Sequence, residues 1–396
     1  AMDNGLELLY KRNELNDRFE LVYLYDFGTE SDPALAYVGR YMSMLGTENK
    51  SLKQMQLEQY NLACDISLSA SKTNLYVTIS GLAENADKAL VLAEEYLSNI
   101  KGDEDVLAEI KRDIVQERKN DKSSQRANYS ALQRYATFGS DYVERTTLSN
   151  EELEALASDY LIDKIHNLKN YQHRILYYGP ATEKELIALL DKEHRTPETL
   201  KDIPAGVELK QANTDETKIF IAPYDAKQIY MSQFSHRDEK YDINIEPTRQ
   251  MYSEYFSGGM NSIVFQEMRE SRGLAYTAYA GLAAPSFVKY DYTFMSYIAT
   301  QNDKMMDAIK AFNEIINEMP QSEPAFKLAK EAIIARLRTE RVNKSSILWN
   351  YVNAQDMNRT EDIRKLLYEK IQAMTLQDVI KFQQEWVKGR TYHYGI

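Results

Sequence analysis

The sequence predicts an α+β protein of two similar domains, each a mostly antiparallel β-sheet with helices packed on one face. Three observations lead there: a length of 396 residues, a plan that recurs at a fixed offset, and strands and helices that follow one another without a βαβ rhythm. One core rarely serves so long a chain, which favours two units of roughly 200 residues. The offset is 216 residues, separating Asp87 from Asp303 at two helix starts and Gly179 from Gly395 after two strand-like runs. Glu117-Arg118 and Glu340-Arg341 also correspond, each near the end of a long charged helix. Duplication is the economical explanation.

In the first copy, residues 1–200, Asn4-Gly5 turns into the strand-like run Leu6-Glu7-Leu8. Phe19, Leu21 and Tyr23 alternate, as do Leu75, Val77 and Ile79, which is the period of a half-buried strand. Asn85-Ala86-Asp87-Lys88 opens a helix with Leu90, Ala93, Leu97 and Ile100 on one face. Asp103-Glu104-Asp105 starts the helix carrying Ile110, Ile114 and Glu117, acids there suiting the helix dipole. Arg174 to Gly179 reads as the final strand. Residues 201–216, polar and bearing Pro204 and Gly206, form the linker. The second copy, 217–396, repeats the order: alternation at Ile219 and Ile221, then at Tyr290, Tyr292 and Phe294. A helix from Asn302-Asp303-Lys304 carries Met305, Ile309, Phe312 and Ile316, and Thr391 to Gly395 is the closing strand. The run with Arg336, Arg338, Arg341 and Lys344 is a basic helix end.

Composition narrows the function. Sixty acids against 48 bases give a net charge of −12, without the positive footprint that a nucleic-acid binder needs. No run approaches the roughly 18 apolar residues of a membrane span. The lone cysteine, Cys64, excludes an intrachain disulfide framework and reads as a buried, inert thiol. No signal-peptide pattern opens the chain, and Ala1-Met2 reads as a cloning remnant on a piece of something longer.

Catalytic motifs are missing. None of His166, His173, His194, His236 and His393 has another at i+4, so no helix offers two imidazoles to one metal, and each reads as a solitary surface or satisfied residue. There is no Gly-x-Ser-x-Gly elbow, and Ser257-Gly258-Gly259-Met260-Asn261-Ser262 lacks the lysine of a phosphate loop.

Residues 257–276 are the most specific stretch: that glycine-rich turn opens a helix through Arg269 and leaves by Arg272-Gly273-Leu274-Ala275-Tyr276. They closely resemble the corresponding segment of the pitrilysin/insulinase family of zinc metallopeptidases, and the two-domain repeat, linker and final strands extend the likeness over the whole chain. The resemblance implies a fold like that of the mitochondrial processing peptidases. Catalytic domains of the family carry an H-x-x-E-H helix followed by a segment ending in Gly-Thr, with a later glutamate completing the zinc ligands. Here the equivalent stretch runs from Tyr37 to Gly46-Thr47: tyrosines Tyr37 and Tyr41 stand at the histidine positions, Arg40 at the base, and Glu117 at the later glutamate. A phenol stays protonated at neutral pH, and a guanidinium repels a metal and takes no proton. The resemblance therefore implies a non-catalytic, carboxy-terminal half or partner subunit, with no cofactor of its own and zinc in the other half. Glu117 becomes a surface or ion-pair residue.

In such halves an arginine and a tyrosine seven residues apart reach the substrate near the partner's metal. Arg269 and Tyr276 have that spacing. Their alternatives are a helix cap or ion pair for Arg269 and packing for Tyr276; Arg272 reads as structural or solvent-facing. The expected partners are the zinc-bearing half, fused or separate, and a peptide substrate added at a sheet edge. Fused relatives point to the bacterial periplasm over the cytoplasm. A catalytically dead assembly subunit of the same fold is the competing function, and it need not keep the Arg269/Tyr276 spacing.

Overall fold

Ten strands make two five-stranded sheets of identical topology in the computed structural model, which describes residues 5–396. The Ala1-Met2 start and Asn4 lie outside the described residues. The first sheet contains β1 (Glu7–Arg12), β2 (Arg18–Tyr25), β3 (Cys64–Ala70), β4 (Leu75–Leu82) and β5 (Arg174–Gly179), in the order β1-β5-β2-β4-β3. The second contains β6 (Lys218–Phe220), β7 (Gln228–Lys240), β8 (Thr277–Ala283), β9 (Asp291–Gln301) and β10 (His393–Gly395), in the order β6-β10-β7-β9-β8. Each copy pairs its first and last strands in parallel and all the others antiparallel. The repeat read at an offset of 216 is thus a repeat of connectivity.

Alternation sets the inner faces. Phe19, Leu21, Tyr23 and Tyr25 of β2 join Leu75, Val77 and Ile79 of β4 in the first core. The helix Ala86–Asn99 lays Leu90, Ala93 and Leu97 on them. Tyr292 and Phe294 of β9 do the same in the second core, under Ala311, Phe312, Ile315 and Ile316 of the helix Met305–Asn317. The alternation at Ile219 and Ile221 has a different outcome. β6 is a three-residue edge strand, and both isoleucines are exposed, at 61% and 66%. Alternation there records one side of a short edge, not a core face.

The chain forms two compact units, and neither is continuous in sequence. The first comprises residues up to Asn120, Ser140–Leu209 and Val342–Trp349; the second comprises Asp121–Gly139, Lys210–Arg341 and Asn350–Ile396. Segments 121–139 and 342–349 therefore group on the other side of the sequence boundary expected at 201–216. In the second unit the helix Gln125–Phe138 covers the outer sheet face: Tyr129 packs edge-on against Tyr230 and Tyr297, and the Ala136 carbonyl meets His393 Nδ1 at 2.9 Å. In the first unit Trp349 packs against Tyr76, 5.9 Å between ring centres. No helix among the described residues is long and apolar enough to cross a membrane.

Candidate functional site

Arg269 and Tyr276 come together at the edge of the second sheet. Residues Phe265–Ser271 form a π-helix, whose wider turn lets Arg272 N–H reach the Glu267 carbonyl at 3.3 Å. Gly273 then takes φ +58°, a left-handed conformation that suits glycine, and turns the chain out of the helix. The Tyr276 amide bonds the Ala299 carbonyl at 3.1 Å, fixing Tyr276 just ahead of edge strand β8. As a result the Arg269 guanidinium lies 5.1 Å from the Tyr276 ring centre and 5.0 Å from that of Phe265. Flanking rings attract the cation and hold it in place. Tyr276 is 70% exposed and the Arg269 side chain 45%. Two polar donors, an N–H fork and a phenol, thus stand side by side in solvent. Arg272 is occupied by Glu267 and Glu314, at 3.4 and 3.3 Å.

Tyr37, Arg40, Tyr41 and Glu117, the positions that the sequence sets against the zinc motif, hold other interactions. The first three lie on the helix Leu35–Met42, which packs so closely on β3 that a Cβ on Gly39 would come within 2.0 Å of the Leu68 carbonyl oxygen. Arg40 spans Asp113 and Glu117 at 2.7 and 3.0 Å, so Glu117 stands in an ion pair. Tyr41 is fully buried; its hydroxyl lies 2.5 Å from Ser158 Oγ and accepts the Asp103 amide at 2.7 Å. Burial raises that phenol's pKa, so it stays protonated. Tyr37 accepts from Arg118 at 3.3 Å. A guanidinium and two phenols in these bonds do not make a zinc site.

Among the described residues one further group gathers metal-type ligands: His236 and Asp238 of β7 with Asp291 of β9, their ligand atoms within 4.8 Å. Lys240 already sits 2.8 Å from Asp291, and His236 Nε2 bonds that same carboxylate at 3.2 Å. His236 Nδ1 meets no acceptor of the kind that orients a metal-bound imidazole. The group is an ion-pair cluster beside the irregular register between His236 and Lys240.

Residues 146–333 match the family model of the peptidase M16 inactive domain. Over that stretch, just under half of its length, the chain is similar to the inactive M16 domains. Solved structures share its fold over its whole length. The peptidase M16 inactive domain from Pseudomonas fluorescens aligns with a TM-score of 0.76 at 15% identity, covering 100% of this chain and 96% of that one. The periplasmic protease PqqL from Escherichia coli gives 0.76 at 15% identity over 99% of this chain but 44% of its own. The ferredoxin protease FusC, as an E83A mutant in complex with Arabidopsis ferredoxin, gives 0.75 at 12% identity, again over 99% and 44%. No curated protein matches the sequence. At these identities the structural likeness is one of fold, and this chain spans under half the length of PqqL and FusC.

The histidines correct one expectation. His173 and His194 are not solitary: their Nε2 atoms lie 2.9 Å apart in the first unit. They are 21 residues apart in sequence, and nothing in local spacing marks the pair. Glu94, on the other side of His194, is a hundred residues away.

Proposed function

We propose that this chain is the substrate-clamping half of a two-half zinc metalloendopeptidase of the M16 kind. It encloses a peptide together with a zinc-bearing half and lends Arg269 and Tyr276 to that half's active site. The observation that supports it is the pairing of the two side chains, exposed and in ring-to-guanidinium contact. The guanidinium fork donates to a substrate backbone carbonyl. The phenol donates to the scissile carbonyl oxygen as negative charge grows on it, which favours the transition state over the bound substrate. Zinc, the general base and the attacking water belong to the partner half, because Tyr37, Arg40 and Tyr41 have none of that chemistry. Peptides or unfolded segments small enough to enter the enclosure are the substrate class.

The test is reconstitution. The chain alone is expected to cleave no peptide, and addition of its zinc-bearing half to restore chelator-sensitive cleavage. In that assembly Tyr276→Phe keeps the ring beside Arg269 and removes the hydroxyl alone. Turnover should fall by about 10²–10³ with KM little changed. Unchanged turnover would assign the chain a scaffolding role, and chelator-sensitive cleavage by the isolated chain would overturn the reading altogether.

A further inference from the structure

The buried histidine pair counts protons. His173, just ahead of β5, and His194, at the end of the helix Glu183–Glu193, are 6% and 2% exposed. His173 Nδ1 lies 2.7 Å from the Tyr171 carbonyl, which can only accept, so that nitrogen carries a hydrogen. His194 Nδ1 lies 2.7 Å from Glu94 Oε1, an oxygen that also accepts the Tyr23 hydroxyl at 2.7 Å. An ionised carboxylate likewise only accepts, so His194 Nδ1 is protonated too. The Nε2 atoms 2.9 Å apart then need a third hydrogen between them, because two facing lone pairs repel. Three N–H groups on two rings are one more than two neutral imidazoles hold. Shifting that proton onto Glu94 leaves the count unchanged. A metal bridging the two nitrogens at about 2.0 Å each would spread them to roughly 3.3–4 Å, so the gap suits a proton.

We propose that this pair is a proton-operated latch: one proton, bound in the folded state near neutral pH, ties the end of the helix Glu183–Glu193 and the connector after it to β5 and to the helix Ala86–Asn99. Losing the proton leaves a buried lone-pair clash or an unbonded nitrogen, and the connector from Arg195 onward is released. The titratable groups facing the pair are Tyr23 and Tyr25 of β2, Glu94, His166 and Lys169. His166 Nε2 is engaged with the Ile100 carbonyl at 3.1 Å, and Lys169 lines the same small cavity of about 10 Å³. The two tyrosines stay neutral, since burial raises their pKa. Unfolded, two ordinary histidines together hold one proton at about pH 6.5 and less above it. With that proton held in the native pair, its contribution is greatest near pH 6.5 and is lost as pH rises above it. Between pH 6.5 and 8.5 the unfolding equilibrium constant should climb roughly 25-fold from this source.

Glu94→Gln separates the latch from ordinary packing. An amide N–H can donate to His194 Nδ1 while its second hydrogen faces the Tyr23 oxygen, which keeps the packing, reverses the Tyr23 bond and removes the need for the extra proton. Nitrogen-resolved NMR of the imidazoles at pH 8 should show three N–H groups on the two rings in the wild type and two in the variant. Trypsin cleavage at Arg195 and Lys201 should accelerate between pH 7 and 9 in the wild type relative to E94Q. Two neutral rings beside an ionised Glu94 in the wild type at pH 8, or the same pH trend in both proteins, would overturn the proposal. Should E94Q fail to fold, the wild-type count decides alone.

Discussion

Acidification from pH 7.5 to 4 tests the same region from the other side. Burial foremost, and then the charge of His194, lower the His173 pKa from 6.5 to about 4. The folded state therefore resists a second proton on the pair, while unfolded His173 takes one as pH falls through 6.5. Its contribution is fully present above pH 6.5 and is lost as pH drops toward 4. A displacement of about 2.5 pH units at 1.36 kcal/mol each, less the part still bound near pH 4, gives roughly 3 kcal/mol. That is a large share of a typical total of about 5–15 kcal/mol. Urea unfolding monitored by fluorescence reads it out. A Trp386→Phe background leaves Trp349, 5.9 Å from Tyr76, as reporter of the first unit. Comparison with His173→Gln isolates the histidine from other carboxylates. If wild type and His173→Gln lose stability in parallel between pH 7.5 and 4, the buried neutral imidazole is not the cause.

Three further outcomes concern the helix Leu35–Met42. Gly39→Ala in an open helix would gain about 1 kcal/mol, but here the new Cβ meets backbone at 2.0 Å. The unfolding free energy from urea titration should instead fall by about 1–3 kcal/mol, and a rise would refute the close packing. Tyr41→Phe strips the shared partner from the Asp103 amide and Ser158 and should cost about 1–3 kcal/mol in the same assay. Arg40→Ala removes an ion pair whose members are all more than a third exposed, so stability should change by less than about 1 kcal/mol. Equilibrium dialysis should find no zinc bound to that variant; stoichiometric zinc would mean that arginine alone keeps the metal out.

The fold was legible because its signals are local. Period-two alternation at Phe19, Leu21 and Tyr23 and helical spacing at Leu90, Ala93 and Leu97 need only short windows, and the offset of 216 shows that the plan occurs twice. The Arg269/Tyr276 pair was legible for the same reason, since a helix exit and a glycine turn lie between the two. What stayed hidden depends on long-range contact. Nothing in residues 121–139 says that they group with a sheet beginning at Lys218, and nothing around His173 names His194. Ile219 and Ile221 show the opposite error, a local pattern without a partner face, because β6 is too short and too peripheral to bury them.

The split membership of the two units bears on synthesis. The first sheet has all its strands once Gly179 has been translated, yet Val342–Trp349 belongs to the same unit. At about 5–20 residues per second those last residues leave the ribosome roughly 10–30 s later. For that interval the outer side of Tyr76 and its neighbours lacks its covering, which makes nascent chains a natural client for holding chaperones. A stop codon placed in the connector would leave each fragment short of a piece encoded in the other, so co-expressed fragments should recover solubility that neither has alone.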